Sequence, residues 1–234
     1  MSKFTYDIHD HLTRVRRSGS NNQDHSSDQF LSVPPKEYPR MERTQLPSPL
    51  DLSVSLQEAL ARRRSSEALI DDDLTLQTLS TLLSSLSGSE HLQGRGRTYP
   101  SGGACYPIET YVFAQRVAEL PPLAFHYHPY DHALEHLWKL PDPLQMFPPV
   151  NAWAESARAI LVFTSSWWRN KKYNDFGYML GLLEAGHMSQ NVLLTAAALE
   201  LPARPISGFN DETVAAILDI DTTVEQPITA IAFG

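Results

Sequence analysis

From Asp175 to Glu200 the chain runs 26 residues without a proline, although it holds 17 prolines against 11 glycines. As an α-helix this segment would span roughly 39 Å. Its apolar positions, among them Phe176, Met179, Leu180, Leu183, Met188, Val192 and Leu199, cover nearly the whole circumference. A helix that is apolar all round has to be covered on all sides, in a large core or in a subunit interface. With 234 residues available to surround it, both are expected at once, in a homodimer built around this helix. Elsewhere the frequent prolines exclude an uninterrupted helical bundle.

Other segments read as strands and shorter helices. Ile108 to Ala114, Leu123 to His128, Ala159 to Thr164 and Pro227 to Phe233 are rich in β-branched and aromatic residues, the composition of strands; the third is expected to be central. Ser55 to Glu58 fits a capping box ahead of a short helix that runs into Arg62-Arg63-Arg64. Leu76, Leu79, Leu82, Leu83 and Leu86 paint one helix face that ends at Gly88. Helices and strands do not alternate regularly, so the class is α+β. Residues 17–30 are almost wholly polar and 33–49 carry five prolines; 1–52 is therefore expected to be an extended or partly disordered arm, with the packed domain at 53–234.

Charge and cysteine content narrow the function. Nineteen Lys and Arg against 27 Asp and Glu give a net charge of −8, which argues against a general nucleic-acid binder. The single cysteine, Cys105, allows neither an internal disulfide nor a Cys/His zinc set, so the chain reads as cytoplasmic. No signal peptide or membrane span is visible.

Five groups could carry chemistry. Arg62-Arg63-Arg64-Ser65 is either a solvated basic turn or a phosphate clamp, since guanidinium forks match phosphate oxygens. Pro100-Ser101-Gly102-Gly103 is either a plain turn or a place where backbone comes close to a flat ligand. Lys172-Tyr173, in a basic loop, is either solvated or a proton-transfer pair. Gln190 and Asn191, inside the long helix, either cross-link the core or face a ligand, as does Glu184; His187 reads as a satisfied core histidine. Ser207-Gly208 can offer backbone amides, ahead of a helix capped by Asn210 or Asp211.

The succession R-R-S at 63–65, P-S-G-G-A-x-Y-P-I-E at 100–109, F-H-Y-x-P-x-x-H-x-L-E at 125–135, K-Y at 172–173, L-E-A-G-H-x-x-Q-N-x-L-L at 183–194 and P-I-S-G-F at 205–209 resembles the nitroreductase-like flavoproteins. Within them it is most similar to the SagB-type azoline dehydrogenases. The likeness spans residues 55–234. It implies a central mixed or antiparallel sheet flanked by helices in an intertwined homodimer, with FMN in clefts along the interface. By the same resemblance Arg63, Arg64 and Ser65, supported by Arg62, would hold the FMN phosphate and ribityl chain. Ser101 and Gly102 would approach the flavin, Ser207 and Gly208 would face its ring, and Gln190 and Asn191 would sit beside it. Lys172 and Tyr173 would be the catalytic pair.

The activity so implied is oxidation of peptide- or carrier-bound thiazolines or oxazolines to thiazoles or oxazoles, with O2 reoxidising the flavin. A cyclodehydratase or a nonribosomal assembly line would be the partner. Alternatives are NAD(P)H-dependent nitro or quinone reduction on the same fold and a non-catalytic scaffold of a cyclodehydratase. Two features depart from many such flavoproteins: Glu67 stands where they carry another arginine, and Gly234 where they have a basic residue near the phosphate. No winged-helix recognition domain is present, so delivery of the substrate would fall to another protein or to the arm.

Overall fold

The computed structural model describes residues 3–19, 34–66, 69, 72–89 and 96–234. In chain order its elements are α1 (Lys3–Gly19), β1 (Arg43–Gln45), α2 (Leu56–Arg62), α3 (Leu76–Ser84), β2 (Gly88–Ser89), β3 (Gly96–Arg97), β4 (Ile108–Ala114), β5 (Leu123–His128) and β6 (Ala133–Lys139). There follow β7 (Ala159–Ser166), α4 (Phe176–Ala198), β8 (Ala203–Ile206), α5 (Asp211–Leu218) and β9 (Glu225–Phe233). Short 3-10 turns cover Gly102–Ala104, Pro149–Ser156 and Trp167–Tyr173. This is the α+β architecture expected. Seven strands form one sheet in the order β1-β6-β5-β4-β7-β9-β8, and every pairing in it is antiparallel.

Both faces of the sheet are covered. On β7, Leu161 and Phe163 join the layer beneath α3 and α4, while Ile160 and Val162 join the layer with α5. Side chains alternate in this way because the strand period is two. With both sides dry, β4 and β7 are buried at every position, which is why each reads as an unbroken apolar run. Pro227 in β9 lies opposite Thr164 just where the β7 register shifts. A proline has no N–H to give to the ladder, and a bulge accommodates that loss.

Helix α4 starts after Asp175 and stops in a Schellman motif: Leu201 N–H bonds Ala196 C=O at 2.9 Å and Glu200, at φ +56°, bonds Ala197 C=O at 3.3 Å. Pro202 then forbids another turn. Ala185, Met188, Val192 and Ala196 face the sheet and are buried. The opposite face is open in the single chain: Tyr178, Leu182 and Leu183 are 51%, 39% and 52% exposed.

The described residues before 53, 3–19 and 34–52, hold more regular structure than an extended arm. Phe4, Ile8, Leu12 and Val15 recur at helical spacing in α1, whose His11 Nε2 lies 2.8 Å from Asp175 Oδ2 at the start of α4. Further on, Lys36 Nζ bonds Tyr111 Oη at 2.6 Å and Glu225 Oε2 at 2.8 Å, β1 adds an edge strand to β6, and Leu46 is buried. Residues 34–52 are thus fastened to the body by ion pairs and ladder bonds that no hydropathy pattern announces.

Candidate functional site

Lys172 and Tyr173 end the 3-10 turn between β7 and α4 and converge on the Ser101–Gly103 turn ahead of β4. Lys172 Nζ donates to the Gly103 carbonyl at 3.1 Å and lies 5.2 Å from the Tyr173 ring centre. Gly103 has φ +57°, and a β-carbon placed there would meet Tyr173 Oη at 2.1 Å and Lys172 Nζ at 2.8 Å. Glycine is favoured there by the left-handed backbone, and any larger residue would have to displace the ends of the Tyr173 and Lys172 side chains. Next door, a β-carbon on Gly102 would approach Leu180 Cδ1 of α4 to 3.0 Å. Two of the segments singled out in the sequence therefore form one surface.

Beneath the turn, Ser101 Oγ accepts from Tyr106 N–H at 2.8 Å, which leaves its own proton for the buried Glu184 carboxyl. Burial pushes that carboxyl up to about 7, against the opposing pull of Ser101, Arg97, the Ile108 backbone and Arg169. Its Oε1 has no hydrogen-bond partner among the described residues. Cys105 is also buried here; burial raises its thiol, while the neighbouring Lys172 amine works the other way.

The arginine segment lies elsewhere. Ser55 Oγ caps α2 by accepting from Glu58 N–H at 3.2 Å, but the Glu58 carboxylate turns to Arg62 instead of closing the capping box. Arg62 is also bound to Glu200 at 2.9 Å, so two carboxylates occupy it. Arg63 and Arg64 pair with no carboxylate among the described residues, and Ser65 is exposed. Arg62, Arg64 and Ser66 line a cavity of about 570 Å³ with Leu193, Ala197 and Ala203. Glu67 lies outside the described residues. Ser66 N–H bonds Ala203 C=O at 3.0 Å, and β8 carries the chain from there to Ser207-Gly208, about 13 Å further on. Ser207 Oγ is 3.1 Å from Thr229 Oγ1, and the Gly208 carbonyl accepts from Asn151 Nδ2 at 2.8 Å.

These placements divide the predicted residues into two half-sites. Gly102 touches α4 at Leu180 and Arg62 touches the segment just past its end at Glu200, 20 positions and about 30 Å apart along the helix. One chain does not bring its own arginine segment to its own Lys172-Tyr173.

The polar residues of α4 fall in different settings. Asn191 Nδ2 donates to the Ser85 and Thr98 carbonyls, both at 3.3 Å, the cross-linking alternative that the sequence leaves open. His187 is exposed rather than a core histidine, and Gln190 is exposed on the same side. His187 and Gln190 share the open side of α4 with the apolar Leu182 and Leu183, so hydropathy alone does not separate that side from the core face.

Sequence reasoning missed the buried charges behind the site. Arg169, three residues before Lys172, pairs with Glu109 at 2.5 Å and bonds the Tyr106 carbonyl at 2.7 Å. Burial would raise Glu109, but the His126 hydrogen bond and the charges of Arg169, His126 and Arg97 hold it down to about 2. The signal available was the histidine-glutamate motif at 125–135, polar residues in an otherwise apolar strand.

Two arginines without a carboxylate partner among the described residues, with a serine beside them, fit the phosphate of a flavin mononucleotide. No group of three or more metal-ligating side chains occurs among the described residues. No described helix is long and apolar enough to cross a membrane.

Comparison with known proteins identifies the family. The nitroreductase family model matches residues 60–234. MJ1384 of Methanocaldococcus jannaschii, which carries a provisional nitroreductase designation, is 30% identical over 190 residues, 77% of this chain and 91% of that protein. The microcin B17-processing protein McbC of Escherichia coli is 29% identical over 176 residues, 69% of this chain but only 62% of McbC. Among solved structures, one from Ralstonia eutropha with a provisional nitroreductase designation matches with TM-score 0.67 at 25% identity, over 82% of this chain and 88% of that one. A chain of the E. coli microcin synthetase McbBCD complex with truncated pro-MccB17 matches with TM-score 0.66 at 22% identity, over 98% of this chain and 91% of that one.

Proposed function

The chain belongs to the nitroreductase family, and we propose that within it this protein is an FMN-dependent azoline dehydrogenase, oxidising thiazoline or oxazoline rings on a peptide or carrier to the aromatic azoles. The observation that carries this reading is the convergence of Lys172 and Tyr173 on Gly103, an amine and a phenol over a turn that a planar ring can approach. The similarity to McbC, named for microcin B17 processing, supports a ribosomal peptide as the carrier and a cyclodehydratase as the partner.

An azoline becomes an azole by losing one proton and one hydride from adjacent ring carbons. The carbon derived from the amino acid Cα lies beside a carbonyl and a C=N, so its proton is the acidic one. The Lys172-Tyr173 pair takes that proton, held in place by the Gly103 carbonyl. FMN, held by Arg63, Arg64 and Ser65, would supply the two-electron acceptor, with O2 as the terminal oxidant taking two electrons and two protons to give hydrogen peroxide.

The roughly 30 Å between the half-sites supports a homodimer in which Arg63, Arg64, Ser65, Ser207 and Gly208 of one copy share a cofactor with Ser101, Gly102, Lys172 and Tyr173 of the other. The apolar, open face of α4 at Tyr178, Leu182 and Leu183 is the surface such a pairing would cover. We place the reaction in the cytoplasm, where the lone thiol of Cys105 stays reduced.

A side-by-side steady-state assay tests the reading. A thiazoline-bearing peptide in air should give thiazole and hydrogen peroxide in equal amounts, and Lys172→Ala/Tyr173→Phe should abolish both while keeping its flavin. Turnover of a nitroaromatic with NADPH and none of the azoline would make the protein a reductase instead. Purified protein without a yellow chromophore would favour a scaffold.

A further inference from the structure

The motif F-H-Y-x-P-x-x-H-x-L-E at 125–135 has no part in the chemistry above, and nor does Glu109. Together they form a continuous row of alternating charge. Arg43 on β1 meets Glu135 Oε1 at 2.5 Å. Glu135 Oε2 lies 2.7 Å from His126 Nδ1, His126 Nε2 lies 3.1 Å from Glu109 Oε2, and Glu109 Oε1 lies 2.5 Å from Arg169 Nη1. The row crosses β6, β5 and β4, neighbours in the sheet at about 4.8 Å per strand. The side chains of Glu135, His126, Glu109 and Arg169 are all 3% exposed or less.

A histidine with a carboxylate on each nitrogen donates from both, which only the imidazolium can do. The rings of Tyr38 and Tyr111 stand 5.3 and 5.2 Å from it and complete its surroundings. Buried ion rows are poor sources of stability, because the charges give up their water, but removing one member leaves its partner uncompensated. Their better-attested use is to fix one arrangement among several. This row ends on Arg169, whose Nη1 also bonds the Tyr106 carbonyl at 2.7 Å. That single guanidinium therefore ties the Trp167–Tyr173 turn to the Ser101–Pro107 segment.

We propose that Glu135, His126 and Glu109 are positioning residues that act through Arg169 to hold Lys172 and Tyr173 in register over Gly103. The proposal deepens the azoline reading by assigning the motif a task in that same site, and its catalytic meaning rests on that reading.

The test uses the full-length protein with its flavin and two variants, Glu109→Gln and Arg169→Lys. The lysine variant keeps a cation opposite Glu109 but removes the Nη1 that contacts both Glu109 and the Tyr106 carbonyl, so it stands in if Glu109→Gln does not fold. One readout is the acetylation rate of Lys172 relative to exposed Lys139, followed by peptide mass spectrometry; the other is the split of azoline turnover into kcat and KM. Freed from its tether, the loop should change the labelling ratio by at least about threefold while melting stays cooperative. The kcat should fall at least about tenfold with KM within about twofold, as expected for a misplaced reacting group. A purely structural role would lower Tm alone.

A folded variant with the parent's labelling ratio or the parent's kcat overturns the proposal. Labelling does not depend on turnover, so a changed ratio in a protein that never oxidises azolines would sink the azoline reading and leave the positioning role standing. If Lys172→Ala abolishes turnover while both other variants match the parent in labelling and kcat, the reverse holds.

Discussion

Tyr173 Oη occupies the space that a β-carbon on Gly103 would need, 2.1 Å from where that atom would sit. Gly103→Ala should therefore push the phenol and the Lys172 amine off the turn, while its left-handed backbone adds a cost of about 1–2 kcal/mol. Turnover is expected to fall at least about tenfold. Gly102→Ala meets only the flexible end of Leu180 at 3.0 Å and should lose far less. Kinetics and thermal melts of the two variants check this; equal losses would contradict it.

Arg62 is held by Glu58 and Glu200, whereas Arg63 and Arg64 have no carboxylate partner among the described residues. Arg63→Ala/Arg64→Ala should weaken FMN binding by at least about tenfold, because bonds from a charged donor to a phosphate contribute about 1.5–3 kcal/mol each. Arg62→Ala removes two exposed ion pairs worth about 0–1 kcal/mol together and should leave FMN affinity nearly unchanged. Fluorescence titration of apo-protein with FMN separates the two.

Glu184 keeps its proton up to about pH 7 in the folded chain, whereas in the unfolded chain it ionises near 4.5, the ordinary value. The folded state binds the extra proton in that window, so stability falls as pH rises through it. The loss is about 3 kcal/mol by pH 8. Glu184→Gln should remove this dependence and be more stable than the parent at pH 8. Urea titrations at pH 5 and 8 measure it.

The open face of α4 carries Tyr178, Leu182 and Leu183. If two copies meet there, Leu183→Glu should yield a monomer, and because each cofactor would draw on both copies, that monomer should also lose its flavin. Light scattering coupled to the visible spectrum reads both; a flavin-loaded monomer would show that one chain suffices.

Periodicity and composition locate α4 and place strands at 108–114, 123–128, 159–164 and 227–233, the last two of which run two residues further at one end in the structure; β4 and β7 are legible because they are buried along their whole length. The same signals were not enough for β6, whose ALEHLWK mixes charge into an edge-proximal strand, or for β8, where Pro205 interrupts the pattern. Strand β1 has only three residues and exists because β6 offers it an edge. Spacing along the chain singles out Lys172-Tyr173 and Ser101-Gly103 but cannot bring them together; that takes tertiary contact. The same limit leaves Asn191 between two alternatives, because its partners Ser85 and Thr98 lie about a hundred residues away. The row from Arg43 to Arg169 draws on four strands and a turn, so only the tertiary fold brings its members together.

The most direct measurement is a single mixing experiment without oxygen, in which flavin-loaded protein meets a thiazoline-bearing peptide. The yellow absorption should bleach, one thiazole should form per flavin, and admitting air should restore the colour. Colour that persists with the peptide and bleaches only on adding NADPH would contradict the assignment.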